Sequence, residues 1–451
     1  MGGNPSINII LTDVCPNRCR YCFATGRSST EESQQDPFMS RERFLLVLDF
    51  LRKSNSKEIR LLGGEPLIHP YIEEFLEKVK EEQFFEHVVI FTGGIFPRKV
   101  IRCLVEDRTS LVVNCNHPKD YDGPQYLQLL SNLGEMASHG VRITIGYNIY
   151  EEYFDFYPVL ELCSTFAVDR LRICVANPNP FRSTELLDWE KRKEVGHRIY
   201  ELIMACVDRH FDVVLDCLVA PCAFSDSEWG EITKYLPSFA RGYGVCGPAL
   251  DVDQNLYVFR CFAYGNGPTV KLLDFNSTQD LYNYFCEEYD QYKWYVGDKQ
   301  CQSCKYFDLG VCQGDCLAFR YEAIETLRGK HKLSKSILAD AYMQLHACNL
   351  DAAVAKFEEA LELYGHDGNV VSDYVFTLLK MSQRNKALSA LDRYLPEQGP
   401  IESSPVLMIR GLLAEMQGDK KKALVFYRRA LRSVNKEKKE ELCARIRNLE
   451  A

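Results

Sequence analysis

The chain has 451 residues, 46% of them hydrophobic, with a formal net charge of −9. That length has room for about two or three domains, and no run of roughly 18 apolar residues suggests a membrane span. The acidic balance gives no basic footprint for wrapping a nucleic-acid backbone. The N-terminal Met1-Gly2-Gly3-Asn4-Pro5-Ser6 lacks the basic and apolar regions of a secretory signal. Nineteen cysteines without such a signal read as metal ligands and thiols rather than disulfides, in a reducing cytoplasm.

Strands are expected at Ile7–Leu11, Ile59–Leu62, His87–Thr92, Leu111–Asn114, Val141–Tyr147 and Leu171–Val175. Helical patterns lie between them at Ser40–Lys53, Tyr71–Glu82, Arg98–Glu106, Gln125–Ser138 and Tyr157–Ser164. The first helix has Ser40 at its N-cap and Phe44, Leu45, Val47, Leu48 and Leu51 on one broad face. Such alternation means parallel strands with crossover helices, an α/β class, with chemistry expected at the C-terminal strand ends.

The first strand runs into Cys15-Pro16-Asn17-Arg18-Cys19-Arg20-Tyr21-Cys22. Three thiolates on one tight loop hold three irons of a [4Fe–4S] cube and leave the fourth open to a small molecule. A structural zinc would want a fourth ligand close by, and no cysteine follows until Cys103. The bland alternative is half a zinc site or reduced structural thiols. The second strand enters Gly63-Gly64-Glu65-Pro66. Its glycines let a backbone pass close to a ligand, and its carboxylate can receive a protonated amine; alone, the tetrapeptide is an ordinary turn. The next strand ends are Thr92-Gly93-Gly94, Asn114-Cys115-Asn116 and Gly146-Tyr147-Asn148. Their amides and hydroxyl either meet a ligand or cap their own turns. Cys115 and His117 read as a non-catalytic pair. The sixth strand leads to Asn177-Pro178-Asn179-Pro180 and a helix from about Glu185 to Arg209. Cys103, Cys163, Cys174 and Cys206 sit among apolar neighbours and read as buried structural thiols.

The Cys-x3-Cys-x2-Cys spacing, with an aromatic before its third cysteine and Gly-Gly-Glu-Pro at the following strand end, resembles the signature of the radical SAM superfamily. The resemblance implies a partial (β/α)6 barrel over residues 1–215. It also implies a [4Fe–4S] cluster on Cys15, Cys19 and Cys22 whose open iron chelates S-adenosylmethionine (SAM). Gly63, Gly64 and Glu65 would hold the methionine amino group. Tyr21 would lie against the adenine, and Thr92, Asn114 and Asn148 would bond the ribose and carboxylate. No separate leader-binding module is expected before the barrel, because the first strand begins by residue 7.

From about 216 the pattern changes. Cys217, Cys222, Cys246 and Cys261 are followed by Cys301-x2-Cys304-x7-Cys312-x3-Cys316. Eight thiols suffice for two cubes; the alternative is zinc. The stretch Asp251–Arg260 reads as a hairpin turning at Gln254-Asn255. This arrangement, over 216–335, resembles the small α+β SPASM extension of radical SAM enzymes, with one or two auxiliary [4Fe–4S] clusters. It departs from that pattern in the seven-residue gap before Cys312, in Asn255 standing where a glycine is usual, and in lacking a clear final cysteine. If the family's interleaving holds, Cys222, Cys246, Cys261 and Cys316 share one cluster. Cys301, Cys304 and Cys312 then share the other, with Cys217 as a possible fourth ligand.

Residues 336–451 turn helical. Ala353-x3-Phe357-x2-Ala360, Ala387-x3-Leu391-x2-Tyr394 and Ala423-x3-Tyr427-x2-Ala430 recur at a period resembling the tetratricopeptide repeat (TPR), with a charged last helix, Lys436–Leu449, as the polar cap. An unrelated helical bundle is the plain alternative. The combined expectation is a radical SAM enzyme that generates a 5′-deoxyadenosyl radical to modify a peptide or protein by crosslinking, thioether formation or epimerisation. Its electron donor would be a flavodoxin or ferredoxin. Oxidation of a partner enzyme's side chain, or a non-catalytic iron–sulfur or zinc scaffold, are the other readings.

Overall fold

The computed structural model describes residues 5–22, 24, 36–177, 179, 189–217, 219–236, 245–265, 267, 269–297, 300–308, 310–314, 316–395, 404–431 and 436–450. The chain divides into two compact units, Met1–Tyr321 and Glu322–Ala451. The barrel-like and cysteine-rich stretches therefore fall in one unit. The second unit begins within a continuous helix, Tyr321–His346, earlier than the composition shift at 336.

In the first unit ten strands form one sheet among the described residues. They are β1 (Asn8–Ile10), β2 (Glu58–Leu62), β3 (His87–Thr92), β4 (Thr109–Asn114), β5 (Arg142–Ile149), β6 (Arg170–Val175), β7 (Asp212–Asp216), β8 (Asp251–Val252), β9 (Tyr257–Phe259) and β10 (Val270–Lys271). β1 to β7 lie side by side in chain order, every pair parallel. Each connection therefore crosses over one face, which is what strand–helix alternation requires.

The expected six strands are present. β5 runs on to Ile149, which brings Asn148 inside the ladder. A seventh strand, β7, was not expected; its Asp-Val-Val-Leu-Asp keeps most of its side chains out of the core at the sheet edge. The hairpin at 254–255 forms, and its first strand pairs parallel with β1 through Asn8↔Asp251 and Ile9↔Val252. The cysteine-rich segment thus extends the parallel sheet instead of standing apart from it.

The first crossover helix, Arg41–Lys53, starts where the Ser40 hydroxyl accepts from the Arg43 N–H. It buries Phe44, Val47, Leu48, Phe50 and Leu51. Leu45 is 48% exposed, because a residue one step from Phe44 is turned about 100° around the helix. The stretch 98–106 is helical only over a short turn and Ile101–Leu104. The helix before β7 is described as Arg192–Asp208; its expected start at 185–188, and Pro178 and Pro180, lie outside the described residues.

The second unit is helical. Ala353, Phe357 and Ala360 are fully buried in one core with Tyr374, Ala387 and Leu391. Ala423, Tyr427 and Ala430 form another core with Leu442 and Ile446 of the last helix, Lys436–Glu450. A Cβ on Gly411 would come 2.3 Å from the Tyr427 ring, so Tyr427 packs directly against the backbone of the helix Ser404–Met416. Among the described residues no helix is long and apolar enough to cross a membrane.

Candidate functional site

The loop after β1 carries Cys15, Cys19 and Cys22 to the C-terminal ends of the parallel strands. Its backbone is pinned by the loop after β2. Gly64 N donates to the Thr12 carbonyl at 2.7 Å and Glu65 N to the Val14 carbonyl at 2.9 Å. This contact accounts for the double glycine: a Cβ on Gly63 would lie 2.4 Å from the Thr12 oxygen, and one on Gly64 2.4 Å from the Val14 oxygen. Gly93 serves the same loop, since a Cβ there would fall 2.0 Å from Asn17 Nδ2. Further ties are Gln125 Nε2 to the Pro16 carbonyl at 3.1 Å and Asn179 Nδ2 to the Cys22 carbonyl at 2.7 Å.

The three thiols repel one another as thiolates. Burial, followed by the charges of Glu65, Cys19 and Cys22, pushes the Cys15 thiol up to about 12 against the lowering effect of a backbone N–H from Asn17. Burial also raises Cys19, with Cys22 as the next cause. Bound iron would reverse that ordering by deprotonating the thiols outright. Asn17 Oδ1 is buried without a hydrogen-bond partner. Three convergent thiols on one loop fit a cluster of three protein ligands. Among the described residues no group of three or more His, Cys, Asp or Glu side chains could hold a single metal ion. A cube, which spreads its ligands over several irons, does not need such a group.

Glu65 is fully buried. Its carboxylate accepts from Thr92 Oγ1 at 2.8 Å, Gly93 N at 2.8 Å and Leu67 N at 3.1 Å. A carboxylate has about four acceptor positions, so one stays available for an incoming ammonium. Desolvation dominates and lifts the group from 4.5 to about 7 against those three donors.

Asn114, Asn148 and Tyr21 meet one another at the ends of the parallel strands. Asn148 Nδ2 donates to the Tyr21 hydroxyl at 3.0 Å and to Asn114 Oδ1 at 3.3 Å. Gly146 makes room for Asn114, whose Oδ1 would be 2.5 Å from a Cβ at that position. The Tyr21 ring stacks on Tyr150 at 5.2 Å, and Tyr150 donates to Asp120 Oδ1 at 2.7 Å. Asn116 joins the set with both ends of its amide: Oδ1 accepts from Tyr21 at 2.5 Å and Nδ2 donates to Cys19 Sγ at 3.5 Å. Sequence reasoning names Asn116 only as part of a strand end. Its signal was position i+2 from Asn114, the next residue past β4 on the same face. Cys115 between them is fully buried, and burial pushes its thiol up. His117 Nδ1 accepts from Lys119 N, a capping contact.

The second cysteine set is distributed over three places. Cys246 and Cys261 are bridged by Arg260. Cys301, Cys304, Cys312 and Cys316 lie on consecutive short turns. There Gly314 N donates to Cys312 Sγ at 3.3 Å, and a Cβ on Gly314 would sit 3.0 Å from Cys301 Sγ. Cys222 is exposed in the turn Pro221–Ala223. Cys217 follows β7 with a left-handed φ of 53°. Its thiol is hydrogen-bonded to Cys174 and lies within electrostatic reach of Cys316. Cys174 is buried, as the structural reading has it, and the bond from Cys217, with Arg172 nearby, lowers its pKa. Cys163 and Cys206 match the structural reading, each buried and pushed up to about 12. Cys103 is only half-buried.

The model of the radical SAM superfamily matches residues 9–236. The chain is 22% identical over 374 residues to the radical SAM cyclopropyl synthase TigE of Paramaledivibacter caminithermalis, covering 76% of this chain and 72% of that protein. Its fold resembles that of Streptococcus suis SuiB bound to S-adenosylmethionine, with a TM-score of 0.52 at 14% identity over 71% of this chain and 75% of SuiB. It also resembles native anSMEcpe with bound AdoMet and the Cp18Cys peptide, with a TM-score of 0.50 at 13% identity over 70% and 90% of the two chains.

Proposed function

The chain belongs to the radical SAM superfamily, and is thereby an enzyme of SAM and a [4Fe–4S] cluster; from that premise we propose that it modifies a peptide or protein through a 5′-deoxyadenosyl radical. The observation that carries this reading is the convergence of Cys15, Cys19 and Cys22 on a loop pinned by Gly64 and Glu65. Cys15, Cys19 and Cys22 would hold the cluster, which would supply the one electron needed to cleave the C5′–S bond of SAM and so give the radical that takes hydrogen from the substrate.

The residues of this chain divide the remaining work. The Thr12 and Val14 carbonyls fix the cysteine loop. Glu65 accepts the methionine ammonium at its remaining acceptor position, with Thr92 and the Gly93 N–H holding the carboxylate in place. Asn116 steadies Cys19, and Asn114, Asn148 and Tyr21 offer donors and acceptors at the ends of β4 and β5. A peptide substrate is supported by the resemblance to anSMEcpe with its bound Cp18Cys peptide.

The middle cysteines are assigned to one or two auxiliary clusters in a SPASM-like segment. The C-terminal helices are assigned to a TPR-like array that grips the substrate by raising its effective concentration. The electron donor is a flavodoxin or ferredoxin, in the cytoplasm. The test is the triple change of Cys15, Cys19 and Cys22 to Ala. 5′-Deoxyadenosine formation disappears while the other iron, roughly eight atoms for two cubes, stays. Persistent SAM cleavage in that variant overturns the assignment.

A further inference from the structure

One buried guanidinium in the first unit is aimed at sulfur. Arg260 is 3% exposed. Its Nε and Nη2 donate to the two oxygens of Asp290 at 2.6 and 2.9 Å. The same fork reaches Cys246 Sγ from Nη2 at 3.4 Å and Cys261 Sγ from Nη1 at 3.7 Å. A second buried side chain serves Cys246: Gln313 Nε2 donates to its sulfur at 3.2 Å, while Gln313 Oε1 accepts from its N–H at 3.0 Å. Lys293 donates to the Cys246 carbonyl at 3.0 Å and stands 3.6 Å from Asp290.

A neutral thiol is a weak acceptor. Two N–H donors on one sulfur, one of them cationic, suit a sulfur that carries negative charge. The charges around this pair are Arg260 and Lys293 against the carboxylates of Asp290 and Asp251, so the guanidinium is what keeps the surroundings of the two sulfurs from being net negative. Two roles follow for such an arrangement. It holds two metal-bound sulfurs in register, and it favours whichever redox state of the attached group is more negative, because N–H donors to cluster sulfurs and nearby charge set cluster potentials.

We propose that Arg260 is a positioning residue that raises the reduction potential of an auxiliary iron–sulfur cluster held in part by Cys246 and Cys261. This rests on the reading that the middle cysteines hold iron. The step it acts on is a one-electron reduction of that cluster, with the electron coming from the external donor or from a substrate radical. A raised potential makes the cluster a better acceptor from the substrate radical. The strand order places Arg260 directly after β9, so the hairpin that joins the sheet at β1 also sets the position of the guanidinium.

The test uses the full chain with Cys15, Cys19 and Cys22 changed to Ala, so that the remaining signals come from auxiliary iron. Midpoint potentials are read by EPR-monitored redox titration after anaerobic reconstitution. Arg260→Gln is expected to shift one midpoint to lower potential. Arg260→Lys, which keeps the charge but not the fork, falls between Arg260→Gln and the parent. Arg260→Gln with Asp290→Asn removes one cation and one carboxylate together, which restores the parent's charge balance and moves the midpoint back toward the parent value. A purely structural role would change iron content or melting temperature and leave the midpoint unmoved. Equal midpoints in the parent and Arg260→Gln, at equal iron content, overturn the proposal. If the single variant loads no iron, the double variant decides in its place: a loaded double variant whose midpoint lies above the parent, as loss of the Asp290 charge alone would give, overturns it. A parent without iron would instead overturn the auxiliary-cluster reading, before any Arg260 variant is made.

Discussion

Glu65→Gln separates the electrostatics of the proposed SAM site from its chemistry, because its effect is readable in the metal-free protein. In the fold the Glu65 carboxyl titrates at about 7, against an ordinary value of 4.5. Between those values the folded state binds more protons than the unfolded state, so stability falls as pH rises through the window. Below 4.5 the penalty is absent, and above about 7 it is complete. A tenfold change in acidity is worth about 1.4 kcal/mol, so the full penalty is about 3 kcal/mol. Glutamine does not titrate. It does turn an amide N–H₂ toward the Thr92 and Gly93 donors, at a cost of about 1–3 kcal/mol that is independent of pH. Wild type and variant should therefore converge, and then cross or nearly meet, as pH rises from 4.5 to 8. Urea unfolding under reducing anaerobic conditions, followed by tryptophan fluorescence, measures this. Trp189, Trp229 and Trp294 all lie in the first unit, so the signal is not mixed with unfolding of the second. His69, which burial lowers to about 4, is common to both proteins and cancels in the difference. Parallel pH profiles would refute the reasoning. In the wild type, an arriving ammonium reverses the shift, so SAM binding near pH 7 should release a proton, visible in calorimetry across buffers of different ionisation heat.

Gly64→Ala places a Cβ 2.4 Å from the Val14 oxygen, where ordinary contact is 3.4–4 Å. The loop must move by about 1 Å and two backbone hydrogen bonds weaken, together worth about 2 kcal/mol; EPR should show impaired loading of the Cys15–Cys22 cluster, and normal loading would count against the bracing role. A chain ending at Tyr321, the boundary between the units, should still cleave SAM in the uncoupled reaction yet lose affinity for a peptide substrate; an unchanged KM would rule out substrate recognition by the C-terminal helices.

β2, β3 and β4 were legible because each alternates buried and open positions, and β1, β5 and β6 as short apolar runs between helical patterns. β7 was not, since an edge strand with one fully buried residue carries little pattern. Cys15, Cys19, Cys22 and Glu65 stood out through local spacing, and their placement on two adjoining loops follows from β1 pairing with β2. The roles of Gly63 and Gly64 were legible only in part: chain flexibility near a ligand was foreseeable, close packing against the Thr12 and Val14 carbonyls was not. The Cys174–Cys217 contact and the Arg260 fork join residues through the register of neighbouring strands or through tertiary packing. Neither leaves a periodic trace in the sequence.

The parallel pairing of β1 with β8 has a consequence for biosynthesis. Asn8 donates to Asp251 across a separation of 243 residues, and the Asp13 carboxylate that follows β1 accepts from Gln254 at 2.7 Å. At roughly 5–20 residues per second, the ribosome delivers those partners about 10–50 s after the cysteine loop has emerged. Through that interval the three thiols sit on a nascent segment with one flank of its strand unpaired, open to oxidation and to stray metal. A longer interval lengthens that exposure, so slowing elongation between codons 60 and 250 should lower the fraction of chains that acquire a cluster.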